Sequence, residues 1–291
     1  MNATAPRSLL RAMAEQNSGR SPFPGHRSYT YASLSAALLS PPHLNSVQFV
    51  FPRDGDRELW CDGDILAAAS PYFRILLQPG FEEGELKKVK TQKPRRARQP
   101  LPFDDSDDDE ALARTPPTPP PSRYSDYPHR RVEIYEASYT TYRAVLCWIL
   151  TRHISFAPLH STFDAEAPEE RRAERTLTLE TRTLASPKLP TPASPKSVYR
   201  LAHLLEMPEL EELALASFAR QLSAATFAQE LFPEITGTYE KILDKIIDFI
   251  VETQDDLKDL YDWEELASII GSIEGEPWGG EVVARAFAAF V

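Results

Sequence analysis

The chain has 291 residues, 42% of them hydrophobic, with 26 prolines against 11 glycines and a formal net charge of −11. That length and apolar content support one or two domains with a buried core, while clustered prolines predict folded blocks alternating with unfolded stretches. The acidic balance argues against nucleic acid or an anionic membrane as the main partner, because both need a positive footprint.

Two cysteines, Cys61 and Cys147, are too few and too far apart for a disulfide framework or a zinc site. Each lies in an apolar run, which predicts a buried free thiol and a reducing compartment. Arg7, Arg11 and Arg20 interrupt the first residues, so no signal-peptide core is expected there. No stretch approaches the roughly 20 apolar residues of a membrane span. The expectation is a soluble protein of the cytoplasm, the nucleus or both.

Residues 1–43 mix Pro, Gly, Ser and Asn and read as a mostly disordered tail, with a short helix within 31–39. Val47, Phe49 and Phe51 then alternate with Gln48 and Val50, the period of a strand. Pro52-Arg53-Asp54-Gly55 supplies turn chemistry, and the return strand runs from Arg57 to Cys61. Asp62-Gly63 breaks the ladder before a short apolar helix from Asp64 to Ala69. Ser70-Pro71 places a capping side chain before a proline at the first helical position, and Phe73, Leu76 and Leu77 follow at helical spacing up to Pro79-Gly80.

The character changes over about 91–129: a basic run, then the acidic run Asp104-Asp105-Ser106-Asp107-Asp108-Asp109-Glu110, then a proline-rich run. Such blocks bury too little apolar area to offset chain entropy and read as a disordered insertion. Val132 and Ile134 mark a third strand. Ser138 caps a helix whose stripe is Tyr142, Val145, Leu146, Ile149 and Leu150. Residues 160–193 are polar and rich in Pro and Thr, a second expected disordered insertion. Ser194-Pro195 and Pro208 each open a helix. Phe227 and Leu231 mark a short one, and Tyr239, Ile242, Leu243, Ile246, Ile247 and Ile250 make the strongest helical stripe in the chain. A small sheet covered by helices is an α+β pattern.

At Asp64-Ile65-Leu66-Ala67-Ala68-Ala69-Ser70-Pro71-Tyr72-Phe73 the sequence resembles the BTB/POZ family, where a hairpin feeds a helix ending in a run of the type V-L-A-A-x-S-P-x-F. Val132-Glu133-Ile134 and the segment from Tyr142 to Thr151 resemble that family's third strand and following helix, with Leu150-Thr151-Arg152 in place of its Y-T-G-like turn. Residues 197–213 resemble its late helix pair, and the arrangement with an acidic insertion is similar to BTB proteins of higher fungi. The resemblance covers 44–220, and residues 221–291 resemble a BACK-like helical extension. It departs from the family where Ser46 and Asp62 replace the usual Asp before the first strand and His before the first helix.

The resemblance implies a BTB/POZ fold acting as a non-enzymatic protein-interaction adaptor. It implies homodimerisation through Val47, Phe49 and Phe51, since an apolar strand near a chain end is a candidate edge for pairing. It also implies docking to a cullin scaffold of a RING ubiquitin ligase through Phe81 and Glu83, an aromatic anchor beside a carboxylate, with Tyr72, Phe73 and the loop after Leu150 in support. Protein substrates stay unnamed, and no direct nucleic-acid or membrane contact is expected. The second reading is an oligomerisation scaffold or transcription-related regulator with no ubiquitin role.

The insertions carry candidate phosphorylation sites: Ser106 in the acidic run, and Thr115, Thr118, Ser186, Thr191 and Ser194, each before a proline. The basic run 87–98 is a candidate nuclear-import signal. No His-Glu-x-x-His, phosphate-binding glycine loop or Gly-x-Ser-x-Gly elbow is present, so neither catalysis nor a cofactor is expected. Asp54 and Asp56 read as turn residues, and His153 and His203 as surface or capping residues.

Overall fold

A computed structural model of the chain describes Leu38, Asp107, Ser268 and residues 45–78, 129–163, 167–185, 191–231, 233–260 and 279–290. Strand β1 (Ser46–Phe51) pairs antiparallel with β2 (Arg57–Asp62), in the register Val47↔Cys61 and Phe49↔Leu59. A single 3-10 turn at Pro52–Asp54 reverses the chain. Gly55 then takes φ 75° and Asp56 φ 56°, left-handed values that the Asp-Gly pair tolerates where a branched residue would be strained. The Asp62 carboxylate accepts the backbone N–H of Asp64 at 2.8 Å, which starts helix α1 (Gly63–Ala69). Gly63 is required by close approach: its N–H donates to the Asn45 carbonyl at 2.9 Å, and a Cβ there would lie 3.0 Å from that oxygen. Helix α2 (Pro71–Leu76) follows at once, capped by Ser70, whose hydroxyl accepts the Phe73 N–H at 3.3 Å.

The chain returns to the sheet as β3 (Arg130–Glu133), parallel to β1 from Val47↔Arg130 to Val50↔Glu133. A parallel pair needs a long crossover, here α1, α2 and the chain up to residue 129. The order is β2-β1-β3, so β1 is the central strand, and all six of its residues are buried. Helix α3 (Tyr139–Thr151) packs over it. Ser138 caps that helix by accepting the Thr141 N–H at 3.2 Å, and the Asp54 carboxylate of the hairpin turn accepts the Tyr139 N–H at 2.7 Å. Tyr142 meets Phe49 at 4.9 Å and Phe51 at 5.4 Å between ring centroids, and Phe49 meets Phe73 at 5.8 Å. The segments on either side of the acidic insertion therefore share one apolar centre, as the order of blocks predicts. Cys61 and Cys147 are both free and buried there.

Helix α4 (Pro168–Ala185) leads to α5 (Pro195–Leu204) and α6 (Pro208–Ala219), which pack as a pair. Then come α7 (Phe227–Leu231), α8 (Glu234–Thr238), α9 (Glu240–Glu252), α10 (Gln254–Leu260) and α11 (Gly279–Phe290). Helix α9 buries Ile242, Leu243, Ile246 and Ile250 and lies between α6 and α11. One apolar cluster joins Leu38, the sheet, α3, α5, α6 and α9 out to Ala286, with no break at residue 221.

One expectation needs correction. Residues 160–193 are not an unstructured insertion: they contain a 3-10 turn at His160–Thr162 and the 18-residue helix α4. Among its described residues the only fully buried positions are Arg175 and Leu179, one turn apart on a single stripe, so the charged majority of the helix hid its ordered face. Of the tail before residue 44, expected to be mostly disordered, Leu38 is described: it is buried and its carbonyl accepts the Trp60 N–H at 2.8 Å. Within 91–129, Asp107 and His129 are the described residues, and both are buried. The short helix expected within 31–39 otherwise lies outside the described residues.

Candidate functional site

Ser70 organises the surface on which docking is expected. Its hydroxyl, besides capping α2, donates to the Leu205 carbonyl at 2.5 Å, and this ties the start of α2 to the end of α5. Tyr72 is half-buried on α2, edge-on to Phe73 at 5.8 Å, and Ile75 one turn below is 50% exposed. At the tied end of α5, Leu204 is also exposed. The loop after Leu150 begins with Arg152 at φ 57°, the left-handed position that closes a helix C-terminus. Its guanidinium lies over Trp148 at 4.2 Å and pairs with Glu209 of α6 at 3.2 Å.

Of the expected cullin contacts, Phe81 and Glu83 lie outside the described residues. Tyr72 is at the surface of α2, but Phe73 is fully buried against Phe49, so it is a core residue rather than a supporting contact. The dimerisation set also needs correction. Val47, Phe49 and Phe51 point into the molecule's own core, and β1 has a strand on each side, so it is not a free edge. Alternation along five residues marks a strand but does not say whether it ends up central or lateral.

The phosphorylation candidates divide in the same way. Ser106, Thr115, Thr118 and Ser186 lie outside the described residues, and Thr191 is half-buried in non-helical backbone. Ser194, expected in an exposed insertion, is fully buried. Asp54, read as a turn residue, serves both the turn and α3. Burial lowers the pKa of His153 from its ordinary 6.5. His203 stacks on Tyr199 at 6.1 Å, stands edge-on to Tyr239 at 5.5 Å and lies 3.6 Å from Glu211.

The functional candidates that the sequence hid are polar and buried. Asp107 accepts from Arg175 at 3.2 Å, with both side chains fully enclosed, and from the Thr141 hydroxyl and the Ser194 N–H at 2.8 Å each. Lys196 of α5 pairs with Glu230 of α7 at 2.9 Å, and Glu230 also accepts from the Ser161 hydroxyl at 2.6 Å. The partners are dozens of residues apart, and no spacing rule links them.

A shallow cleft of about 290 Å³ lies between α6, α9 and α11, lined by Glu212, Leu215, Lys241, Asp244, Lys245, Ile247, Asp248 and Arg285. Its cations are already engaged: Lys241 with Glu211 and Glu212, Lys245 with Asp248, and Arg285 with Asp244. The hydrogen bonds that Lys241 donates to Glu212 and Lys245 donates to Asp248 raise the pKa of each lysine, which holds both as ammonium groups. Among the described residues no group of His, Cys, Asp and Glu could hold a metal ion, and no helix is long and apolar enough to cross a membrane.

Compared with known proteins, the chain matches no family model, and no curated protein matches it.

Proposed function

We propose that this chain is a protein-interaction adaptor of the BTB/POZ type that presents bound proteins to a cullin-containing RING ubiquitin ligase. The observation that carries the reading is the parallel pairing of β1 with β3 across the acidic insertion, with Phe49 and Tyr142 in contact behind it. The two blocks that resemble the family's first and third strands thus belong to one sheet, and the S-P-x-F run lies where Ser70 and Phe73 serve that sheet's core. The exposed flank of α2 with the end of α5 offers an apolar rim beside Arg152 and Glu209. An aromatic residue that docks beside such a rim has the chemistry of an interface anchor, the role the resemblance gives to Phe81. The adaptor self-associates through a surface other than the body of β1.

Affinity purification of the tagged full chain with mass spectrometry tests the reading. Cullin and RING subunits are expected among the recovered proteins and are lost when Phe81→Ala and Glu83→Ala are combined. Undiminished cullin recovery by that double variant removes the docking residues. Recovery of the chain with copies of itself and without any cullin replaces the ligase role with an oligomerisation scaffold. Deleting 87–98 and following a tagged copy tests the nuclear-import reading of the basic run.

A further inference from the structure

Asp107 belongs to a run of acidic residues that composition places in solvent, yet it is 2% exposed. Three elements distant in sequence build its seat. Helix α3 offers the Thr141 hydroxyl from its first turn, and the Ser138 hydroxyl stands 3.0 Å from Thr141 Oγ1. Helix α5 offers the backbone N–H of Ser194, its N-terminal capping residue. Helix α4 offers Arg175, whose Nε is fixed by the Pro158 carbonyl at 2.8 Å while Nη2 reaches Asp107. Both helix N-termini favour a negative charge, and a buried guanidinium requires one.

Ser194 is the residue this seat shuts in. Its side-chain oxygen is buried and has no hydrogen-bond partner, although a serine before a helix ordinarily uses that oxygen to cap it. Just upstream, Ala193 is held by its N–H to the Ser155 carbonyl at 3.1 Å and by its carbonyl to the Ala157 N–H at 2.8 Å. Ser194 also precedes Pro195, the dipeptide that a proline-directed kinase reads. A phosphate there would add a charge of about −1.5 to −2 beside the Asp107 carboxylate. The site cannot hold both, since like charges in an enclosed space repel without solvent screening.

We propose that the seated Asp107 is a latch that keeps Ser194 from a proline-directed kinase, and that phosphate on Ser194 holds the latch open. In the modification the Ser194 Oγ bonds to the γ-phosphorus of a nucleoside triphosphate and the bond from that phosphorus to its bridging oxygen breaks. Nucleoside diphosphate leaves, and the hydroxyl proton passes to the kinase's base. The latch does not depend on the adaptor reading.

The full-length chain and its Asp107→Asn variant are incubated with a proline-directed kinase and ATP, and phosphate is quantified at Ser194 and at Thr191. Thr191 precedes a proline, is half-buried outside any helix and serves as the internal reference. Losing one charge-assisted bond favours local opening, so the Ser194-to-Thr191 ratio should rise about tenfold or more in Asp107→Asn. Thr141→Val removes a single neutral donor and should raise it less. Equal ratios in all three proteins overturn the latch. So does a rise accompanied by lost hydrogen-exchange protection in β1, which traces the exposure to global unfolding.

Discussion

The aromatic centre and the polar seam are buried to the same degree but are held by different physics. At the centre Phe49, Phe51, Phe73 and Tyr142 interlock without charge, and their contribution scales with apolar area removed from water. At the seam Asp107 with Arg175 and Lys196 with Glu230 are enclosed ion pairs, in which desolvation nearly cancels attraction. The centre makes the protein stable. The seam fixes Asp107 against α4 and α5 against α7, and each half of a pair is tolerable only because the other is present.

Single substitutions should not separate the two regions, but paired ones should. Phe49→Ala leaves a cavity beneath β1 and should cost about 3–5 kcal/mol, read as a lower denaturant midpoint. Arg175→Met strands the Asp107 carboxylate and should cost about 3–5 kcal/mol as well. Adding Asp107→Leu to Arg175→Met should recover most of that loss, because an apolar pair of similar volume has no charge to desolvate. A charge-neutralising second change has no counterpart beside Phe49→Ala, where the loss is a cavity. Failure of the rescue would mean that the Thr141 and Ser194 hydrogen bonds to Asp107 hold the seam as much as the ion pair does.

Asp54→Ala comes next in size. It leaves the Tyr139 N–H without its acceptor and should cost about 1–2 kcal/mol. This sharpens the comparison, because Asp54 is a polar group that works inside the apolar centre, tying the hairpin turn to α3.

Two smaller effects concern pH. Burial pushes the Cys61 and Cys147 thiols up to about 12 from an ordinary 9.0. The fold holds them protonated, so their stability contribution is intact below pH 9 and falls as pH rises from there towards 12. Iodoacetamide at pH 8 should leave both unlabelled in the native protein and label both after denaturation. For His153 the sign is opposite. Its folded pKa is depressed below 6.5, so its contribution is full above pH 6.5 and is lost as pH falls through the lowered value. His153→Gln should flatten that part of the stability profile.

Local chemistry was legible wherever a residue's partner lies within one helical turn. Ser70 and Ser138 cap the helices that their positions announce, each bonding to a backbone N–H three residues ahead. Pro71, Pro195 and Pro208 each open a helix where expected, and the hairpin, third strand and α9 stripe fall close to their predicted places. Helix α4 was missed because its stripe runs through Arg175, and a buried arginine looks like any exposed one until its carboxylate is known. Partners that come from distant segments likewise hid Asp107 among its acidic neighbours, and the enclosure of Ser194 with it.

By itself, then, the chain's order of residues determined most of the elements, the caps at Ser70 and Ser138 and the α+β class, because hydrophobic period and turn chemistry act over a few residues at a time. Tertiary structure alone decided that β1 is central, that Phe73 faces inward and that one aspartate of an acidic run is enclosed. Those outcomes depend on which distant groups arrive at the same place. Charge compensation inside a protein is a property of three-dimensional neighbours, and no pattern along the backbone encodes it.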